Sequence, residues 1–204
     1  MNFDLISKHI SPDFVIDVGA NIGGFYKEAE AAWPEARFFL IEGNIECADM
    51  LAYTGADFTI ALLSDREKEV EFFTLKDCAT ATGASYYREN TEFFDGEKGV
   101  VNLVKTTTLD AACSDLDLWG QVLLKLDTQG SELDIMRGGE KTLDRAQAVI
   151  LELSLKEYNL GAPFEYEVDA FMQEKGFERA ELLGDIVHPI SRELIQEDVL
   201  YLRK

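Results

Sequence analysis

The chain has 204 residues, with 39 acidic and 19 basic side chains and a formal net charge of −20. Its 47% apolar and 28% charged content is that of a chain that buries a core, which excludes a disordered or fibrous protein. The charge disfavours nucleic acid and anionic membranes as partners, because a polyanion is repelled over most of the surface.

Short β-rich apolar runs alternate with amphipathic stretches. Phe14 to Val18 reads as a buried strand, and Phe25 to Trp33 as a helix that Pro34 stops. Arg37 to Glu42 is a second strand. Asn44 is placed to cap a helix running to Tyr53, with Gly55 in the turn after it. Phe58 to Leu63 is a third strand. Val70 to Leu75 and Val100 to Val104 then read as a strand pair around a polar, aromatic-bearing segment, Cys78 to Gly99, and residues 64–105 form an insertion or lid candidate. Thr108 starts a short helix through Leu116. Gln121 to Asp127 is a strand, Ser131 to Met136 opens a helix, and Gln147 to Leu153 is a further strand. Phe164 to Lys175 is helical with Gly176 as its stop, and Phe177 to Leu183 and Val199 to Leu202 close the chain as strands.

This order implies an α/β three-layer sandwich around a mostly parallel sheet. The last two strands lack a long helix between them, so one of them runs antiparallel to the rest. The length suits a single domain over residues 1–204. Met1 to Leu5 lacks the pattern of a signal peptide, and no apolar run approaches a membrane span. Cys47, Cys78 and Cys113 have neither zinc nor disulfide spacing, so a cytoplasmic location is expected. His9 and His188 read as surface or turn residues, and Trp33 and Trp119 as packing residues.

The informative segment is Asp17-Val18-Gly19-Ala20-Asn21-Ile22-Gly23-Gly24, a glycine-bearing turn between a strand and a helix. Gly19 permits the tight exit, Asn21 tolerates positive φ, and Gly23 and Gly24 let backbone and ligand approach closely. Glu42, at the tip of the second strand, can accept hydrogen bonds from both hydroxyls of a ribose. Together they form a nucleoside-binding pair; the bland alternative is a structural turn and a solvated glutamate. Ala61 and Leu62 end the third strand, where an adenine ring would lie, though apolar strand ends are usually core. The glycine spacing also approximates a dinucleotide fingerprint, but no tyrosine has a lysine four residues later, which counts against an NAD(P)-dependent reductase.

A second cluster, Leu124-Lys125-Leu126-Asp127-Thr128-Gln129-Gly130-Ser131-Glu132, ends a strand that should face the same crevice. Lys125 and Asp127 share one strand face. A lysine inside an apolar strand needs a carboxylate partner or water. Glu132 falls in the first turn of the next helix, where it favours the dipole.

These two clusters resemble the FkbM family of S-adenosylmethionine-dependent methyltransferases. Thr108-Leu109-Asp110 and Ile150-Leu151-Glu152-Leu153-Ser154 add weaker matches. The resemblance implies a seven-stranded Rossmann-like enzyme that O-methylates a sugar, glycan or small natural product. S-adenosylmethionine would then be held by Asp17, Gly19, Ala20, Asn21, Gly23, Glu42, Ala61 and Leu62. A hydroxyl acceptor benefits from a general base. Asp127 is the first candidate for that base, or for orienting the acceptor, or for binding the methionine amino group. Lys125 could hold Asp127 ionised or anchor a carboxylate. Glu132 and Glu152 are further candidates, each with a structural ion pair as the bland reading. Asp127 with Glu152 could offer two carboxylates to magnesium, but no metal is expected.

Tyr86, Tyr87, Arg88 and Asn90, with Phe93 and Phe94, could form an acceptor-binding lid, because aromatic faces stack on sugars and Arg and Asn direct hydrogen bonds. The alternative is a small satellite core under a loop. A non-catalytic nucleoside-binding module is the remaining rival to an enzyme.

Overall fold

A computed structural model describes residues 1–75, 83–90, 99–187 and 192–204. Cys78, Phe93, Phe94, His188 and parts of the Cys78 to Gly99 segment lie outside the described residues. In chain order the elements are α1 (Phe3–Ile6), β1 (Phe14–Val18), α2 (Gly24–Ala32), β2 (Arg37–Glu42), a one-turn 3-10 helix (Ile45–Cys47), α3 (Ala48–Ala52) and β3 (Asp57–Ile60). β4 (Glu69–Leu75), β5 (Gly99–Lys105), α4 (Leu109–Ala112), β6 (Val122–Leu126), α5 (Glu132–Arg137) and α6 (Glu140–Arg145) follow. β7 (Ala146–Ser154), α7 (Glu165–Glu174), β8 (Phe177–Val187) and β9 (Leu194–Arg203) complete the described chain.

Seven strands form one sheet in the order β3-β2-β1-β6-β7-β9-β8. β3, β2, β1, β6 and β7 are parallel, and β9 inserts antiparallel between β7 and β8. The mostly parallel sheet with one reversed strand near the C-terminus is therefore present. β4 and β5 form a separate antiparallel pair, the hairpin-like insertion.

The central strands read as continuous apolar runs because both their faces are covered. Phe14, Ile16, Val18, Val122, Leu124 and Leu126 pack into one core layer. Val15 and Leu123 turn to the other, against Tyr26 and Ala29 of α2. That second face is also the one on which Asp17 and Lys125, direct register partners on β1 and β6, must sit.

Several boundaries move for local reasons. Asn44 does cap, accepting from the Glu46 amide, but the first turn it caps is a 3-10 turn before α3. β3 ends at Ile60, and Ala61 and Leu62 follow it outside any strand, the Ala61 amide still donating to the Glu42 carbonyl and the Leu62 carbonyl accepting from the Thr107 amide. The stretch after Met136 forms a second short helix, α6, which the sequence reading did not separate; Gly138 and Gly139 make the break, the backbone of Ser64 and the side chain of Leu109 lying where their Cβ atoms would be. Trp33 is buried as expected. Trp119 is not the buried packing residue expected: it stands 47% exposed in the loop before β6.

Candidate functional site

The sheet order reverses direction beside β1: the chain winds outward through β2 and β3, then returns to β6 on the other side. Such a switch point leaves a crevice at the carboxyl ends of the strands. Here the crevice has about 640 Å³ of atom-free space, its open mouth included. Gly19, Asn21, Glu42, Gly43, Ala61, Leu62, Phe72, Ser85, Asp127, Thr128 and Gln129 line it.

The turn after β1 is built from backbone that favours glycine. Gly19, Asn21 and Gly23 all have positive φ, at 76°, 50° and 83°. A Cβ on Gly19 would lie 1.9 Å from the Asp127 carbonyl oxygen, so β1 and β6 can close only around a glycine. The Gly19 and Ala20 amides donate to the Ile41 carbonyl, which ties the turn to β2. Ala20 is buried in the core and Gly23 meets the Thr54 methyl group; both shape the turn without lining the crevice.

Glu42 anchors the other wall. Its Oε2 accepts from the Asn21 amide at 2.7 Å and its Oε1 from the Asn44 amide at 2.8 Å. Burial pushes its carboxyl up from the ordinary range, while the Asn44, Asn21 and Gly43 amides act the other way. Each carboxylate oxygen carries two lone pairs, so of four acceptor positions one remains beyond these three amides. Ile41, Leu62, Leu63 and Phe72 make the adjoining wall apolar. A Cβ at Gly43 would come 2.8 Å from the Leu62 Cδ1, the movable end of a flexible side chain, so Gly43 and Leu62 pack closely at that corner. A carboxylate acceptor beside an apolar wall suits a nucleoside, whose ribose donates hydrogen bonds and whose base is flat and apolar on its faces.

Beneath the crevice lies a buried charge chain. Lys125 is 4% exposed, and its Nζ reaches Asp17 Oδ1 at 3.0 Å and Asp127 Oδ2 at 3.5 Å. It also lies 5.2 Å from the Phe25 ring centroid at the start of α2. Burial pushes the Asp17 carboxyl up despite Lys125; Lys125, flanked by carboxylates that outweigh its own burial, is held protonated. Asp17 does not line the crevice, and its Oδ2 is a buried oxygen without a hydrogen-bond partner among the described residues. Asp127 does line it, with its side chain 40% exposed.

The other two carboxylates have defined work. Glu132 Oε1 accepts from the Thr128 amide at 2.7 Å, the Thr128 hydroxyl at 3.0 Å and the Gly130 amide at 3.3 Å, stapling the loop after β6. Burial raises its carboxyl to about 7. Glu152, on β7, accepts at Oε1 from Gln129 at 2.7 Å and from Gln196 at 2.6 Å. Burial, then Asp127, Glu132 and Asp198, raise its carboxyl well above the usual range.

Tyr86 and Tyr87 both donate their hydroxyls to Asp134 Oδ2 on α5, at 3.1 and 2.9 Å, with ring centroids 4.9 Å apart. Neither lines the crevice; burial and Asp134 push both phenols up. The Asn90 amide donates to the Tyr158 carbonyl, and the Leu160 amide to the Arg88 carbonyl, so residues 88–90 are pinned to the loop after β7. The described residues of this segment that reach the crevice are Ala84 and Ser85, and the Ser85 hydroxyl donates to the Gln129 carbonyl. Ser85, Phe72 and Gly43 were not legible as site residues in the sequence. Thr128 and Gln129 stood inside the second cluster without being named as site residues; they sit between Asp127 and the glycine that turns the chain.

The methyltransferase FkbM domain family matches this chain over residues 17–179. Among solved structures, a methyltransferase FkbM from Methylobacillus flagellatus KT superposes with a TM-score of 0.56 at 15% identity, covering 94% of this chain. This chain spans only 44% of that protein. Magnesium protoporphyrin IX methyltransferase from Synechocystis PCC 6803, solved with bound S-adenosylmethionine, gives a TM-score of 0.53 at 10% identity, covering 98% of this chain and 74% of that one. Precorrin-6y C5,15-methyltransferase from Geobacter metallireducens GS-15 gives 0.51 at 12% identity, covering 98% of this chain and 84% of that one. At these identities the likeness is one of fold. Comparison with curated proteins gives no match.

Proposed function

The chain belongs to the FkbM family of S-adenosylmethionine-dependent methyltransferases, and from that premise we propose that it binds S-adenosylmethionine in the crevice after β1 and methylates a hydroxyl of a small-molecule or glycan acceptor. The observation that carries this reading is the pairing of Glu42 with the Gly19–Asn21 turn across one crevice. Glu42 would receive a ribose hydroxyl on its remaining lone pair, Leu62 and Phe72 would flank the base, and Asn21 and Asp127 would face the methionine end. When bound, the cofactor supplies a sulfonium methyl group open to displacement in one step.

The protein's own contribution is positioning and proton transfer. Asp127 takes the proton of the acceptor hydroxyl on a carboxylate oxygen. Lys125, locked below it between Asp17 and Asp127, keeps negative charge at that spot favourable. Glu132 holds the loop that carries Asp127 in place. No metal enters this reading, because carboxamides of Gln129 and Gln196, which are donors and not cations, already satisfy Glu152 Oε1. Residues 1–204 act as one domain, with 64–105 as its acceptor-side insertion; Arg88 and Asn90 are its acceptor contacts, and Tyr86 and Tyr87 prop the segment on α5. The charge of −20 favours a small acceptor over nucleic acid.

Calorimetry with S-adenosylhomocysteine and with NAD tests the cofactor. S-adenosylhomocysteine should bind and NAD should not. Glu42→Ala should weaken S-adenosylhomocysteine about tenfold or more, the scale of a lost charge-assisted hydrogen bond. Tight NAD binding, or an unchanged affinity in the variant, defeats the assignment.

A further inference from the structure

Gln129 combines three features that its place in the motif does not explain. Its backbone is left-handed, with φ at 56°, although it is neither glycine nor asparagine and the next residue, Gly130, is already available for the turn. Its carboxamide nitrogen donates to two carboxylates, Asp127 Oδ1 just past the end of β6 at 3.3 Å and Glu152 Oε1 on β7 at 2.7 Å. Its carbonyl is in turn fixed by the Ser85 hydroxyl at 3.0 Å. A strained backbone persists where surrounding contacts over-determine it, and a side chain that a glycine could replace at lower conformational cost is there for what it holds.

We propose that Gln129 is a positioning residue of the acceptor side, whose one nitrogen ties Asp127, the carboxylate that lines the crevice, to the buried Glu152 and so fixes where Asp127 meets the acceptor. The part concerning the acceptor rests on the methyltransferase reading above; the tie itself does not. Both neighbours are acceptors at the bonded oxygens, so the amide must present its nitrogen and not its oxygen. Gln196 holds the same Glu152 oxygen from β9 at 2.6 Å, leaving Oε2 as the oxygen that can carry a proton. The charged groups facing Glu152 are Asp127 and Lys125 from β6 and its loop, Glu132 from α5 and Asp198 from β9, with the Tyr158 phenol close by in the loop after β7. Three carboxylates against one lysine make the neighbourhood short of positive charge, so neutral donors such as Gln129 govern how readily Glu152 ionises.

Two variants separate this role from a merely structural one. Gln129→Gly removes both the side chain and the strain, and Gln129→Asn keeps a residue tolerant of positive φ but is one methylene too short to span both carboxylates. The readouts are thermal unfolding and the titration of Glu152, followed by carbon-13 carboxyl resonances with Glu152→Gln assigning the signal. Losing one N–H donor should move the Glu152 midpoint up by about one pH unit in both variants, with the unfolding temperature of Gln129→Gly equal to or above that of the unaltered protein. An unchanged Glu152 titration in both variants overturns the proposal, as does a Gln129→Gly protein that loses stability with the titration unmoved. Failure of the unaltered protein to bind S-adenosylhomocysteine would instead defeat the cofactor reading while leaving the titration result standing.

Discussion

Lys125 carries a charge in the middle of an apolar strand, flanked by Leu124 and Leu126, both fully buried. Taking an ammonium out of water costs several kcal/mol, and partners must offset it. The sheet supplies them: parallel pairing sets Asp17 beside Lys125 in register, Asp127 lies two residues on and so on the same face, and the Phe25 ring lies over the amine. Removing one partner strands the other. Lys125→Ala is expected to cost about 3–5 kcal/mol of stability, because it leaves the fully buried Asp17 carboxylate uncompensated. Lys125→Met with Asp17→Leu should recover most of that loss, since an apolar pair needs no compensation. Urea denaturation of the three proteins checks this, and a single variant within 1 kcal/mol of the unaltered protein would show that the pair is not what holds the two strands' charges.

Glycines act on whole elements here, and two of them separate backbone cost from contact cost. Gly176, with φ at 80°, ends α7 in open space, with nothing near where a Cβ would be. Gly176→Ala should therefore cost only the left-handed penalty, about 1 kcal/mol. Gly19, at φ 76°, faces the Asp127 carbonyl at 1.9 Å from its would-be Cβ. Gly19→Ala must push the end of β6 away from β1, and about 3 kcal/mol or more is expected, with S-adenosylhomocysteine binding lost as well. Equal stability losses in the two variants, read from chemical denaturation, would mean that the close approach of β1 and β6 is not tight in solution. The insertion pair β4–β5 carries a different signature: Val101 and Leu103 stand 52% and 69% exposed on its outer face.

At the scale of the molecule, the excess of acid shapes the pH response. Burial raises Glu132 from 4.5 to about 7 and Asp198 from 3.8 to about 6, and raises Asp17, Glu42 and Glu152 as well. A carboxyl that holds its proton more tightly folded than unfolded binds more protons in the native state between those two values. Stability then falls as pH rises through the interval. Lys125 has the opposite partner logic, but its contribution is fully present below 10.5 and so is constant here. Growing negative charge adds repulsion in the same direction. The unfolding temperature should therefore drop by roughly 5 °C or more between pH 5.5 and 8. A flat or rising profile over that range would show that these carboxyls are better hydrogen-bonded when ionised than their burial implies.

What the sequence determined by itself is local and periodic. Continuous apolar runs such as Phe14–Val18 mark strands covered on both faces, glycine or proline marks the ends of α2 and α7, and Asp17 to Gly23 and Lys125 to Glu132 mark the two turns at the crevice, because steric and burial constraints of this kind act between near neighbours in the chain. What only the tertiary structure decided is how residues far apart spend their hydrogen bonds. Asp17 turned out to be sealed against Lys125 beneath the crevice, Glu132 folded back on its own loop, Tyr86 and Tyr87 committed their hydroxyls to Asp134, and Gln129 bridged Asp127 to Glu152. A side chain's spacing along the chain fixes which face it takes, but its partner is chosen by strand order and by which groups burial deprives of water, and neither is written in any one segment.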